Sequence, residues 1–306
     1  MTSADLPVTA PEIPSFRERH ASTIRQWRLY AHLFAGSFSS MLGLALVVLF
    51  LILAIFGPVL APYPEDTTGA VNLSQRLLSP SLAHPFGTDE MGADILSRII
   101  VGARTSLWIG LIITGVGAGI GVPLGIIAGY HGGVTRAVIM RVTDLFLSVP
   151  GLALALTIVA ALGPGITNCV IALSLVWWPG YVRLVESKTL SVKEELYVES
   201  ARALGASTPW ILRRHILPNC LTPIIVKASM DMGMAILSAA SLGFIGLGAK
   251  PPLPEWGSMI SVARTYMPDW WWYSLFPGLA IFLTVLGFNL LGDGLRDILD
   301  PRSRSR

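Results

Sequence analysis

In a chain of 306 residues, 53% are hydrophobic, only 13% are charged and the mean hydropathy is +0.63. Soluble domains carry roughly 25% charged residues, so an ordinary soluble domain is excluded. The net charge of +3 is small, so the placement of charge matters more than its size. The two cysteines, Cys169 and Cys220, have no spacing that suits a metal or redox motif and read as small buried hydrophobes.

Residues 1–37 form a polar tail. It lacks a basic start followed directly by an apolar run, so it does not read as a cleaved signal peptide. The first apolar run, about 39–61, is long enough to span a bilayer, which takes roughly 20 residues. A polar loop of about 62–104 follows. Its His84, Asp89, Glu90 and Asp94 are acidic or imidazole groups that could form a metal cluster. The stretch 87–100, GTDEMGADILSRII, reads better as an amphipathic surface helix capped by Thr88 or Asp89.

The second span, about 105–130, holds four overlapping G-x-x-x-G spacings from Gly115 to Gly129, which predict close backbone packing. Pro123 lies among them and predicts a kink. The third span covers about 142–162, the fourth about 165–185, the fifth about 222–248 and the sixth about 271–294. Between the fourth and fifth lies a polar loop, about 186–219, and residues 302–306 form a short C-terminal tail. Trp177, Trp178 and Tyr181, and Trp270 to Tyr273, read as interfacial anchors. Alternating barrel strands are absent. The fold class is therefore an all-α integral membrane protein with six transmembrane helices, since lipid admits only helices or closed barrels.

Lysine and arginine set the orientation. With the N-terminus inside, 17 of them fall in inside segments and 5 in outside ones. The inside set includes Arg17, Arg19, Arg25, Arg28, Arg302, Arg304 and Arg306. This places both termini and the 186–219 loop in the cytoplasm, and the 62–104 and 247–257 loops outside.

Two charged pairs lie near the inner ends of apolar runs. Lys227 and Asp231 are four residues apart on one helix face, and Arg141 lies beside Asp144. Both read as structural pairs, with a functional role for Lys227 and Asp231 left open, because charges at membrane depth are costly. No run of carboxylates threads the spans, as an ion-driven carrier would need. No H-E-x-x-H or G-x-S-x-G motif occurs. None of the four lysines follows a glycine, so a phosphate-binding G-x-x-x-x-G-K-[ST] loop is absent. A helix-turn-helix reader of nucleic acid could mimic the polar loop, but two flanking spans argue against it.

Within that loop, ESARALGASTPWILRRHILPN from Glu199 to Asn219 predicts two short helices. The first runs from about Val192, its start favoured by Glu194 and Glu195 through the helix dipole, and Gly205 ends it. Thr208 caps the second with Pro209 at its first position, and Pro218 stops it. Leu196, Ala203 and Leu204 share one side of the first helix, and Ala201 is small enough for a partner to close over. The pattern describes a bent, rigid knuckle suited to a groove in another protein.

The spacing Glu199-Ser200-Ala201-x3-Gly205-x9-His215-Ile216-Leu217-Pro218 resembles the coupling loop of ATP-binding-cassette importer permeases. Ser200 and His215 depart from that family's pattern. Residues 84–107, 140–150, 240–257 and 288–301 are similar, in order, to the second permease subunit of the dipeptide, oligopeptide and nickel importers. The resemblance implies a type I ABC importer permease fold over 38–301 and a location in the bacterial inner membrane. It implies a non-enzymatic subunit that works with a second homologous permease, two ABC ATPases and an extracytoplasmic substrate-binding protein. Membrane lipid surrounds the spans, and nucleic acid is not a partner. No cofactor is implied for this chain, with ATP and Mg2+ held by the ATPases. Glu199, Ser200, Ala201, Gly205, Ile216, Leu217 and Pro218 are the implied contact with an ATPase. Pro251, Pro252, Glu255 and Trp256 are a weaker expectation for contact with the binding protein. Short peptides are the implied substrate, with nickel, glutathione or opines as alternatives. Outside this resemblance stand an ion-gradient-driven carrier and an intramembrane enzyme.

Overall fold

A computed structural model of the chain describes residues 32–299. Arg17, Arg19, Arg25, Arg28, Arg302, Arg304 and Arg306, with most of the N-terminal tail and all of the C-terminal tail, lie outside the described residues. Among the described residues the structure is nearly all helix, and its only β pairing is an isolated bridge between Thr88 and Asp94. In chain order the helices are α1 (Phe38–Leu60), α2 (Ile95–His131), α3 (Gly133–Leu147), α4 (Gly151–Leu162) and α5 (Ile166–Lys193). They continue with α6 (Leu196–Ala203), α7 (Thr208–Phe244), α8 (Trp256–Ala263) and α9 (Trp271–Leu299).

Five of these, α1, α2, α5, α7 and α9, are long and apolar enough to cross a membrane. The remaining expected span takes the form of a bent helix pair, a broken span or a re-entrant loop. α3 and α4 meet at 83°, where the sequence predicts a single run over 142–162. Pro150 is the cause. It has no N–H to donate and it drives Val149 away from helical geometry, so the chain restarts at Gly151.

α2 begins ten residues before the apolar run that signals it. The separate surface helix expected over 87–100 does not form. Instead Asp94 caps α2 directly, its carboxylate accepting from the Ser97 amide at 2.8 Å and the Ser97 hydroxyl at 2.7 Å. Thr88 and Asp89 sit upstream, buried in the loop. α2 is continuous through Pro123.

The glycines of α2 divide by face. A Cβ on Gly121 would stand 2.5 Å from the Trp178 carbonyl and 2.5 Å from the Tyr181 Cβ. One on Gly125 would stand 2.8 Å from the Val182 carbonyl, and one on Gly129 would stand 2.7 Å from the Thr189 Cβ. With Gly117 they form a stripe every fourth residue on which α5 lies. Gly115 and Gly119 face open space. Trp178 and Tyr181, expected at an interface with water, are therefore buried against this stripe. Gly121→Ala overpacks the seam, a class of change costing about 1–3 kcal/mol. It is expected to lower the midpoint of thermal unfolding in detergent, while Gly119→Ala leaves it unchanged.

The same device closes the other side of the bundle. Gly43 of α1 lies on the backbone of Leu291, and Gly287 of α9 lies on Leu46. Lys227 and Asp231 pair as expected, at 3.1 Å. Asp144 does not pair with Arg141. Its partner is Arg183 of α5, against which α3 packs directly.

At the end assigned by charge to the outside, the long loop folds on a buried polar network. His84 Nδ1 lies 3.0 Å from Asp94 Oδ1, and Asp66 accepts from the Asp94 amide at 2.8 Å. Asp89 accepts from the amides of Met91 and Ala93 and pairs with Arg98 at 3.2 Å. Burial pushes the Asp89 carboxyl up to about 6, against the pull of Arg98. Tyr273 of α9 donates to Glu90. These bonds tie the loop to the starts of α2 and α9. Among the described residues, no group of three or more His, Cys, Asp or Glu is arranged to hold a metal.

Candidate functional site: the elbow between α5 and α7

α5 ends at Lys193, and the extended Glu195 turns the chain into α6. Its carbonyl accepts from the amides of Val198 and Glu199 at 2.9 and 3.1 Å. α6 stops at Leu204 in two reverse bonds. The Gly205 amide donates to the Arg202 carbonyl at 3.0 Å, and the Ala206 amide to the Ala201 carbonyl at 3.0 Å. That 6→1 and 5→2 pattern is a Schellman closure, and it needs a left-handed residue. Gly205 supplies it with φ of +80°. No atom lies within 4 Å of where its Cβ would be, so conformation and not space selects glycine here.

Ser207, not Thr208, is the cap of α7, and Thr208 and Pro209 occupy its first two positions. α7 then runs past Pro218 instead of stopping there. Over Leu212–Ile216 the helix widens to a π turn, in which the Leu217 amide bonds to the Leu212 carbonyl. Proline breaks an α-helix by clashing with the carbonyl four residues back, and a π turn at that point displaces the carbonyl. The second arm of the elbow, from Thr208, and the fifth span are one helix.

Three apolar side chains pin the elbow to the bundle. Val198, Ile211 and Ile216 are fully buried with Val185, Val192 and Cys220. The Arg202 guanidinium lies 5.7 Å from the centre of the Tyr130 ring at the end of α2. His215 sits between Tyr197 and Trp210, with centroids 5.4 and 5.0 Å away. Asn219 donates to the Tyr197 hydroxyl at 3.2 Å and to the His215 carbonyl at 2.7 Å. Burial and then the Glu195 charge raise the Tyr197 hydroxyl above its ordinary range, while Asn219 lowers it.

The opposite side of the elbow is bare. Leu196 is 79% exposed, Leu204 88%, and Trp210 and Tyr197 are also open. Of the residues the sequence assigns to this contact, Glu199, Ser200, Gly205 and Pro218 are exposed, and Ala201 and Leu217 are half-buried. Ile216 is 0% exposed and supports the elbow from within, so it is withdrawn as a contact residue. Tyr197 and Trp210 were missed by motif reading. Their signal is aromatic side chains in an otherwise charged segment.

At the other end, Pro251 and Pro252 are exposed, but Glu255 and Trp256 are buried. Glu255 caps α8, accepting from the amides of Gly257 and Ser258 at 2.7 and 2.8 Å. Trp256 donates its indole N–H to the Ile99 carbonyl at 3.1 Å and meets Phe50 edge-on. Neither offers a surface to a partner, so the expected contact with a binding protein is corrected for both.

The chain is thus a multi-pass helical bundle with an exposed apolar elbow between two spans. The chain belongs to the family of binding-protein-dependent transport system inner membrane components, whose profile matches residues 121–305. A second profile, the N-terminal transmembrane domain of oligopeptide transport permease C, matches residues 26–80. The probable D,D-dipeptide transport system permease protein DdpC of Escherichia coli K12 is 47% identical over 268 residues, covering 88% of this chain and 89% of that one. The dipeptide transport system permease protein DppC of Alkalihalophilus pseudofirmus is 46% identical, covering 87% and 86%. The glutathione transport system permease protein GsiD of Pectobacterium atrosepticum is 43% identical over 96% of each chain. Among solved structures, an inward-facing MetNI methionine ABC transporter superposes with a TM-score of 0.55 at 18% identity. The match covers 67% of this chain and 98% of that one, and establishes the fold. The protein is an ABC importer permease of the inner membrane.

Proposed function

We propose that this chain is one of two transmembrane subunits of an importer of short peptides, driven by two ABC ATPases that dock on its elbow. An extracytoplasmic binding protein delivers the substrate from the opposite end, and both termini face the cytoplasm. ATP and Mg2+ bind the ATPases. Closure of the ATPases rocks this permease against a homologous companion. The observation that carries the reading is the bare apolar face of α6, Leu196 and Leu204, mounted on a fully buried anchor. Exposed apolar groups on a rigid helix suit a groove in a partner.

Short peptides are favoured because the relatives above are named for D,D-dipeptides, dipeptides and glutathione, all built on amide-linked amino acids. Nickel and opines fit these names less well. Glu199, Ser200, Ala201, Gly205, Leu217 and Pro218 form the rest of the docking surface. Pro251 and Pro252 remain for the binding protein.

Leu204→Glu places a charge in the centre of the docking face without touching the anchor. It is expected to lower ATP-dependent uptake of a dipeptide into proteoliposomes, and ATPase co-purification, by at least about ten-fold, the loss of roughly 1.4 kcal/mol. Unchanged uptake would refute the docking role.

A further inference from the structure

About 15 Å in from the elbow end of α2, at about 1.5 Å per helical residue, Gly121 rests on Tyr181. Beside Tyr181 stands the ammonium of Lys227, 5.0 Å from the ring centre, and 3.1 Å from it the carboxylate of Asp231. Tyr181 is fully buried, and its hydroxyl faces the carboxylate of Asp231. A charged pair at this depth is costly and calls for an explanation.

The Lys227 side chain keeps 29% exposure, and its ammonium stands between the Asp231 carboxylate and the Tyr181 ring. Lys-to-Asp is the weaker order for a pair four residues apart. The pair is therefore a weak stabiliser of its own helix, and it is packed against Tyr181 of α5.

Both side chains line a cavity of about 650 Å3 between α5, α7 and α9. That is within the range of roughly 300–1,000 Å3 for sites that bind small molecules. Lys188 and Arg296 line the same cavity, and the remaining wall is largely apolar, with Val226 and Met230. One hollow thus presents three cations and a single carboxylate.

We propose that this cavity is a way-station for the transported peptide, in which Asp231 takes its terminal ammonium and Lys227, with Lys188 and Arg296, its terminal carboxylate. The inference rests on the peptide reading above. At rest the pair neutralises itself. A zwitterion entering between the two groups exchanges one ion pair for two, so no charge is left buried alone. A phospholipid phosphate would suit the cations but would face Asp231 unfavourably. The excess of cations gives the carboxylate end the stronger hold.

The test uses the transporter assembled with its companion permease and ATPases in nanodiscs without nucleotide, and the photo-reactive dipeptide alanyl-p-benzoylphenylalanine. Adducts are expected within 180–188 or 223–231, displaced by Ala-Ala and not by N-acetylalanine amide. The double variant Lys227→Met/Asp231→Asn removes both charges together and should label at least about ten-fold less. Should it fail to assemble, Asp231→Asn alone is read, with loss of labelling again expected. Equal displacement by N-acetylalanine amide, or labelling unaffected by the variants, would overturn the way-station. So would adducts confined elsewhere, or a photo-reactive phospholipid labelling these segments in place of the dipeptide, in an assembly that imports Ala-Ala. Wild-type assembly that, moved to proteoliposomes with its binding protein and ATP, takes up no Ala-Ala would overturn the peptide reading itself, and with it this site.

Discussion

Gly205→Pro is expected to abolish uptake while the protein still inserts in the membrane. Gly205 sits at φ of +80°, and proline is held near −65°, so the native turn is closed to it. The substitution also deletes the amide that donates to Arg202 and pushes Leu204 out of its near-helical conformation. The Schellman closure is lost, and α6 no longer meets α7 at a fixed angle. The spans are untouched, because the elbow is anchored separately through Val198, Ile211 and Ile216. Gly205→Ala is the control. It has open space and meets only the left-handed cost of about 1–2 kcal/mol, so it should retain part of the activity. Uptake into proteoliposomes, set against the amount of inserted protein, separates the two. Wild-type transport by the proline variant would mean that the angle of the elbow is not what transmits force.

Trp256→Ala should be the most damaging single truncation for stability. The side chain is 0% exposed and packs on Phe50, and its indole N–H holds the Ile99 carbonyl. Truncating a buried tryptophan costs about 3–5 kcal/mol, and here a carbonyl inside the bundle also loses its donor. Trp256→Phe keeps much of the packing and should lose closer to about 1 kcal/mol. Thermal unfolding in detergent reads both. If Trp256 were instead a contact for a binding protein, the alanine variant would unfold like wild type and lose only the stimulation of ATP hydrolysis by that protein.

The two ends of the molecule differ in how far their residues disclose them. The elbow is a local object. Glu195, Gly205, Ser207 and Pro209 act within a turn of themselves, so a reading of caps and breakers finds it, displaced by one residue at Ser207 and by four at the start of α6, since α5 continues through Val192 to Lys193. Apolar runs likewise disclose the spans, since each needs only its own composition. What sequence hides is what depends on distant partners. The start of α2 at Ile95 is set by Asp94, which is held in place by His84 and Asp66. Asp144 finds Arg183 across 39 positions rather than Arg141 beside it. Glu255 and Trp256 look like loop residues and turn out to be a helix cap and a core side chain. Pro218 misleads for a different reason. The rule that proline ends a helix assumes α geometry, and the π turn over Leu212–Ile216 removes that assumption.

The central claim is tested most directly by a single cysteine at Leu204, in a chain whose Cys169 and Cys220 are replaced by serine or alanine, paired with cysteines in the docking cleft of the ATPase. Disulfide formation in the assembled transporter is the predicted result, with the bond blocking uptake until it is reduced. A Leu204 cysteine that reacts with a membrane-impermeant thiol reagent from outside intact cells, and never links to the ATPase, would contradict the account.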